Sequence, residues 1–432
     1  MEFPIFAYIA LLLLAALLST RLMKVLKLPN VTGFIITGII MGPFVFGVLF
    51  NNFSYDGIKN GTIAQYISRL GWVSQVALGF IAFSIGTSFK ASSLKALGKK
   101  VLVITVLEAL GGSLIVILAL VILHLCMRNI VGMEVVLTLG AIASATAPAA
   151  TLMVIRQYKA RGKLVDTLLP VVALDDAVAL ILFAILFQIA NSISTGSEFS
   201  AYKMIAKPLI EIGISLGFGA ILGLIIVFAN RFFKSRNNRL VFCIFSIFAA
   251  LGLYTLFRNQ QLGGFELSSL LMCMMAGAFY ASLREDSGRT FDVLDRFTTP
   301  IYMMFFVLSG ASLDLSVFFN EKGGIVLLIA FIYIISRVIG KWGGAFSGAT
   351  ITKCENEIRY YLGLTLIPQA GVAIGLATNA NALFSENPVT AEAGSLILAI
   401  ILTSTLVYEL VGPLVSKFAL KKANQIPVEE KQ

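Results

Sequence analysis

Apolar positions in this chain neither alternate nor recur as a stripe; they run on for about 20 residues at a time. Thirteen such runs cover roughly 5–22, 30–50, 71–89, 101–124, 133–155, 166–192, 205–232, 240–257, 264–283, 297–315, 324–349, 359–382 and 392–416. An α-helix needs about 20 apolar residues to cross the hydrocarbon of a bilayer. The other spanning solution, a closed β-barrel, would show alternating polar and apolar residues, and these runs do not. The pattern predicts an all-α polytopic membrane protein of about 13 transmembrane helices.

Composition agrees: 58% of the 432 residues are hydrophobic and only 13% charged, against about 25% charged in a soluble domain. Mean hydropathy is +0.91. The net charge of +10 would raise nucleic acid as a partner in a soluble protein. Here the basic residues sit in short loops between apolar runs, so the lipid bilayer is the partner expected and nucleic acid is not. The four cysteines, Cys126, Cys243, Cys273 and Cys354, form neither a metal-site spacing nor a disulfide framework. The single histidine, His124, reads as a boundary residue. No dinucleotide motif, phosphate loop, zinc-protease motif or nucleophile elbow lies in a credible context. No enzyme activity and no cofactor is expected.

Loop charge tests the helix count. If the runs alternate direction, one side receives 24 of the 33 basic residues and the other 7. The positive-inside rule then places the C-terminus in the cytoplasm and, with an odd count, the N-terminus outside. The first run has basic residues after it rather than before it, so it is expected to be a retained helix rather than a signal peptide. A short cytoplasmic tail, 417–432, is expected to follow the last helix, without space for a soluble regulatory domain.

Two basic residues belong to neither side: Arg337 and Lys341 lie inside the eleventh run. The sixth run carries Asp175 and Asp176 near its middle. A charge near the bilayer centre costs roughly 2.5–3.5 kcal/mol on insertion scales, and such residues usually mark ion or proton pathways. One Asp–Lys pair would serve as a structural bridge; the second, adjacent aspartate is surplus to that role. Burial favours the neutral form of an acid and of a base, and a neighbouring carboxylate disfavours a second negative charge. A carboxylate so placed holds either a proton or a hard monovalent cation, and competition between them couples their movements. Arg337 and Lys341 are one turn apart, so spacing alone leaves open which meets the aspartates. Lysine can lose its proton on desolvation and arginine cannot. Glu108, inside the fourth run, reads either as an accessory cation or proton site or as a partner of Arg337 or Lys341. Glu211 and Glu409 read as residues nearer helix ends, and Gly213, Gly217, Gly219 and Gly223 as helix-packing positions.

Two runs contain breaks. The fifth includes AIASATAPAATL, with Ser144 and Thr146 before Pro148 and Thr151 after it. The twelfth includes LTLIPQAGVAIGLA, with Pro368, Gln369, Gly371 and Gly375. Proline removes a backbone donor and frees a carbonyl, and paired broken helices line midplane sites in transporters. The breaks are seven runs apart. That odd offset inverts the topology and predicts inverted repeats with two broken crossing helices.

Several segments together resemble the monovalent cation:proton antiporter superfamily, the sodium/proton antiporters in particular. They are KLPNVTGFIITGIIMGP, LDDAVAL, GGFELSSLLMCMMAGAFYASL, PIYMMFFVLSGASLDL, IGKWGGA and LTLIPQAGVAIGL, in the family's order over nearly the whole chain. The resemblance implies that Asp176 is the principal cation and proton carrier. It implies that Asp175 pairs with Lys341, and that Thr146 belongs to the unwound segment and joins Asp176 at the monovalent cation. It implies an ion-binding core of about 101–192 and 324–416 moving against a dimerisation scaffold of about 1–100 and 203–315, hence a homodimer working by alternating access. Arg337, one turn before Lys341, departs from the pattern and leaves the sub-branch open.

The function expected is secondary antiport of a monovalent cation, sodium first, against protons in the cell membrane. The alternatives are a potassium/proton antiporter, a sodium-coupled organic-anion symporter with Arg337 holding the anion, and a sensory or channel-like protein without coupled transport.

Overall fold

The computed structural model describes residues 5–47, 63–87, 91–126, 131–195, 206–233, 235–258, 267–284, 287–312, 323–385 and 390–427. Lys59, Lys90, Arg128, Lys203, Lys234, Lys322 and Lys431, used in the loop-charge argument, lie outside them. Among the described residues the regular elements are all helical. They are α1 (Ile5–Leu26), α2 (Asn30–Met41) with a π-helical turn at Pro43–Gly47, α3 (Ile63–Arg69), α4 (Gly71–Thr87), α5 (Ala91–Cys126), α6 (Met133–Ile142), α7 (Pro148–Gln157) and α8 (Lys163–Thr195). There follow α9 (Lys207–Phe232), α10 (Arg236–Arg258), α11 (Ser269–Leu283), α12 (Ser287–Ala311), α13 (Gly323–Ile351), α14 (Asn356–Thr365), α15 (Gly371–Ser385) and α16 (Ala391–Lys422).

Among the described residues helix lies within each expected run, and eight spans are long and apolar enough to cross a membrane. The fifth and twelfth runs are each split in two. Pro148 takes the first position of α7, where its missing N–H costs nothing and its fixed φ suits a helix start.

The end of α16 corrects the expected tail. The helix continues past 416 to Lys422. Leu420 and Ala423 are buried against the loop and helix starts around Ala160 and Leu164, and Lys417 Nζ stands 4.6 Å from the centre of the Tyr158 ring. Beyond it, the Gln425 carbonyl accepts from Arg161 N at 2.8 Å and its side chain accepts from Leu164 N at 3.3 Å. Gly162 makes this possible: its φ of +132° suits glycine alone, and a Cβ there would strike the Gln425 side chain. The longer helix also corrects Glu409, which lies well inside α16 and is buried rather than near an end.

The chain divides into two compact units. The first holds 1–96 and 210–313. Its helices touch backbone to backbone at glycines: Gly38 against Val307, Gly310 against Ile35, Gly86 against Met274 and Gly277 against Phe83. Gly219 and Gly223 pack on α11, while Gly213 and Gly217 face open space, so only half of that expected packing set is used. Lipid-type faces remain on α1, with Phe6, Leu17 and Val25 exposed, and on α9, with Phe228 and Phe232 exposed.

The second unit holds 97–209 and 314–432. It contains two apolar clusters. One gathers Val116, Leu139, Ala179, Phe183, Tyr333 and Ile397; the other gathers Val101, Ile104, Leu168, Val172, Ala345 and Leu362. Each of three helices contributes to both clusters and carries charge in between: Glu108 on α5, Asp175 and Asp176 on α8, Arg337 and Lys341 on α13. Helix α13 approaches α5 through Gly340, Gly344 and Gly348, spaced four apart on one face. A Cβ on Gly344 would strike Leu107 O and come within 2.7 Å of Glu108 Cα; one on Gly111 would come within 2.6 Å of Gly340 O. Backbone contact of this kind needs small residues, and here it sets Glu108 beside Lys341.

Gly344→Ala is therefore expected to lower stability by about 1–3 kcal/mol through overpacking, while Gly343→Ala, with nothing within 4 Å of its Cβ position, is expected to hold or gain stability from helix propensity. Thermal melts of the two variants in detergent check this; equal melting would contradict the backbone contact.

Candidate ion-binding site

The site begins with the two breaks. Helix α6 ends at Ile142 and α14 at Thr365, and each end leaves carbonyls without a helical partner. In hydrocarbon these must be satisfied within the protein. The breaks satisfy one another. Ala147 N donates to Pro368 O at 2.8 Å, Thr151 Oγ1 to Thr365 O at 2.9 Å and Thr146 Oγ1 to Leu366 O at a longer 3.5 Å. Gln369 Nε2 donates to Ile142 O at 2.9 Å, and Tyr333 Oη donates to Gln369 Oε1 at 3.1 Å. Ser144 turns back on its own helix, donating to Ala141 O at 2.7 Å. Pro368 packs its ring on Gly412, and Gly371 opens α15 in an exposed position.

Arg337 closes the arrangement. Its Nε donates to Ala143 O at 2.9 Å, one terminal nitrogen to Ile367 O at 2.7 Å and the other to Ala145 O at 2.7 Å. Tyr408 lies under it, with the guanidinium carbon 4.7 Å from the ring centre. A helix C-terminus carries roughly half a negative charge. Two such ends meet one arginine, so its charge is balanced by backbone dipoles rather than by a carboxylate. Arg337 is fully buried. With its guanidinium nitrogens all bonded to carbonyls, it is also poorly placed to hold an organic anion.

Lys341, one turn on, takes the carboxylates. Its Nζ stands 3.1 and 3.3 Å from the two oxygens of Asp175, 2.7 Å from Glu108 Oε2 and 2.7 Å from Thr146 Oγ1, to which it donates. The lysine stem lies along Gly112, whose Cβ position is 3.1 Å from Lys341 Cγ. Of the two basic residues that spacing left open, Lys341 meets Asp175, while Arg337 is bound by carbonyls.

Asp176 differs from its neighbours. Glu108, Asp175, Lys341 and Arg337 have no accessible surface, whereas Asp176 keeps 7%. Its Oδ1 is buried without a hydrogen-bond donor in the protein. It is thus a carboxylate beside an ion pair yet outside it, with an oxygen free to accept a ligand. Among the described residues no group of three His, Cys, Asp or Glu side chains forms a metal site, and His124 binds the Val131 carbonyl at 2.6 Å.

The sequence reading did not single out Tyr408 and Tyr333, which no local pattern marks, or the four-residue glycine spacing of α13, which was visible in IGKWGGAFSGA.

The sequence model of the family described as "Sodium/hydrogen exchanger, transmembrane" matches residues 9–421. The chain belongs to the sodium/hydrogen exchanger family. It is accordingly a multi-pass membrane protein of the cation:proton antiporter class. Among curated proteins it is similar to the ammonium/H(+) antiporter subunit AmhT of Alkalihalophilus pseudofirmus, at 23% identity over 92% of this chain and 91% of the relative. Among solved structures it is similar to the sodium proton antiporter MjNhaP1 of Methanocaldococcus jannaschii. One structure, from electron microscopy maps, matches with a TM-score of 0.75 at 18% identity, covering all of both chains. Another, at pH 8, matches with a TM-score of 0.67 at 17% identity, covering 97% of this chain and 98% of that one. At these identities the likeness is one of fold.

Arg337→Lys keeps the charge but loses the planar fork that reaches three carbonyls. It is expected to cost about 2–4 kcal/mol by leaving buried acceptors unpaired, seen as earlier melting in detergent. Melting like that of the wild type would contradict the capping role.

Proposed function

We propose that the protein is a secondary active antiporter that exchanges a monovalent cation, sodium first, for protons by alternating access across the cell membrane. The observation that carries this reading is Asp176: the least buried of the three site carboxylates, with a buried oxygen that no protein donor satisfies. A proton or a dehydrated cation completes that oxygen equally well in kind, and the two exclude each other. Asp176 is the principal carrier, with Thr146 as a neighbouring oxygen ligand. The Asp175–Lys341 pair supplies the fixed charge that keeps the site from holding more than one cation at a time. The unit 97–209 and 314–432, which contains the whole site, is the moving core. The remaining unit is the scaffold and dimer-forming part, with the N-terminus outside and the C-terminus in the cytoplasm.

Sodium is supported by the family's description. The curated relative is named for ammonium, so ammonium stands beside sodium and potassium as a cation to be tried. The organic-anion symporter is disfavoured because the arginine it requires is engaged by backbone carbonyls.

In sealed proteoliposomes with an acidic lumen, outside sodium is expected to make the lumen alkaline, as a pH dye reports, and Asp176→Asn is expected to reduce the response to that of empty vesicles. A folded variant that retains wild-type rates would contradict the assignment of the carrier. Potassium or ammonium in place of sodium as the effective ion would correct the selectivity alone.

A further inference from the structure

The end of α16 reaches the starts of two helices that build the ion site. Asn424 takes a left-handed φ of +55°. Asn424 N donates to Lys421 O at 3.1 Å and Gln425 N to Leu420 O at 2.9 Å, the paired closure that a left-handed residue gives after a helix. The turn directs Gln425 inward, where only 7% of it is exposed. Its carbonyl accepts from Arg161 N at 2.8 Å. Its Oε1 accepts from Leu164 N, in the first turn of α8, at 3.3 Å. Its Nε2 donates to Glu357 Oε2, in the first turn of α14, at 3.3 Å and to Ala423 O at 2.8 Å. One buried amide thus joins the first turn of α8 to the first turn of α14.

These two helices need such a link. Leu164, Leu168 and Val172 of α8 share one aliphatic cluster with Ile358 and Leu362 of α14. Apolar contact is non-directional, so it holds the helices together without fixing how far one stands along the other. A hydrogen bond is directional and can fix it. A second polar tie at this end, Lys163 with Glu355, is exposed, with 67% and 53% of the two side chains accessible, and such a pair contributes little.

What the link sets lies farther along. Helix α8 carries Asp175 and Asp176 eleven and twelve residues after Leu164, about 16–18 Å along a helix. Pro170 lies between them and Leu164 and removes a backbone bond, so the placement of the carboxylates depends on where the first turns are held. Helix α14 runs into the second break, where Thr365 O and Leu366 O receive Thr151 and Thr146. A slip of α8 along α14 therefore moves Asp176 relative to Thr146, the two oxygen ligands proposed above. Binding constellations of this kind must be held to within about 0.5 Å.

We propose that Gln425 is a positioning residue of the ion site: it pins α8 to α14 by their first turns and so sets the affinity for the cation. The proposal rests on the antiport reading given above.

The test is the half-saturating cation concentration of exchange in proteoliposomes at one fixed pH, with rates taken per folded protein, beside the dissociation constant from calorimetry in detergent. Sodium is used first, then potassium and ammonium. Gln425→Met keeps the length of the side chain without its amide, and Glu357→Ala removes the α14 end of the pin. Each is expected to raise both constants about five- to tenfold, as loss of one net hydrogen bond would, with the maximal rate within about twofold of the wild type. Lys163→Ala, which removes only the exposed pair, is expected to keep wild-type affinity. Wild-type affinity in Gln425→Met overturns the proposal whatever the maximal rate, because a purely structural role lowers the amount of folded protein and not the affinity of what remains. An equal loss of affinity in Lys163→Ala overturns it as well, since any tie at this end would then serve. If Gln425→Met does not fold, Glu357→Ala decides by the same measurements, and wild-type affinity there overturns the proposal. Absence of exchange by the wild type with all three cations would refute the antiport reading; the calorimetric constants then judge the pin alone, and it falls if none of the three cations binds.

Discussion

The ammonium of Lys341 is the interaction on which the rest of this structure depends. It is fully buried, with Asp175, Glu108 and Thr146 all within 3.3 Å. A charge of that kind is tolerated in hydrocarbon only when its partners are held closely enough for attraction to offset lost hydration. Much of the second unit serves that end. Glycines on α13 and α5 remove the side chains that would keep Lys341 and Glu108 apart. Apolar clusters on the same helices flank the charged band. The broken helix α6/α7 brings the Thr146 hydroxyl to the ammonium.

The broken helices carry a cost of their own, and Arg337 answers it. Each break exposes carbonyls that an unbroken helix would satisfy. Arginine, with a rigid fork of donors and a charge it cannot lose, suits the convergence of two helix C-termini. The two cations of α13, one turn apart, therefore do different work. Arg337 is bound to backbone and fixed in charge; Lys341 is bound to acids whose protonation can change. This division leaves the carboxyl cluster short of positive charge, a shortage that the proposed cation or protons would make good.

Much of this was legible in the sequence because membrane burial makes charge conspicuous. Two basic residues that fit neither side of the membrane, and an Asp–Asp pair in mid-run, pointed to the site before any geometry. The helical segments followed from run length, and the breaks from Pro148 and Pro368. What stayed hidden depends on rotation and contact. A one-turn spacing cannot say which of Arg337 and Lys341 turns toward α8. Glu108 stood out in its run, but whether it pairs with Arg337, pairs with Lys341 or stands apart was not legible, because Lys341 lies more than 200 positions away. Glu409 was misplaced because α16 runs on through Pro413 to Lys422, stabilised by contacts with distant residues such as Tyr158. Gly213 and Gly217 resembled packing positions, yet which glycines meet a neighbour is fixed by helix facing and not by spacing.

The central claim is that one buried carboxyl cluster takes a proton or a cation and never both. Cation affinity of the purified protein, measured by calorimetry across a range of pH, tests it most directly. Competition predicts that the apparent dissociation constant rises at least about tenfold for each unit of falling pH in the acidic limb, and that Asp176→Asn shows no measurable cation binding. Affinity that does not change with pH, or binding that survives Asp176→Asn, would contradict the account.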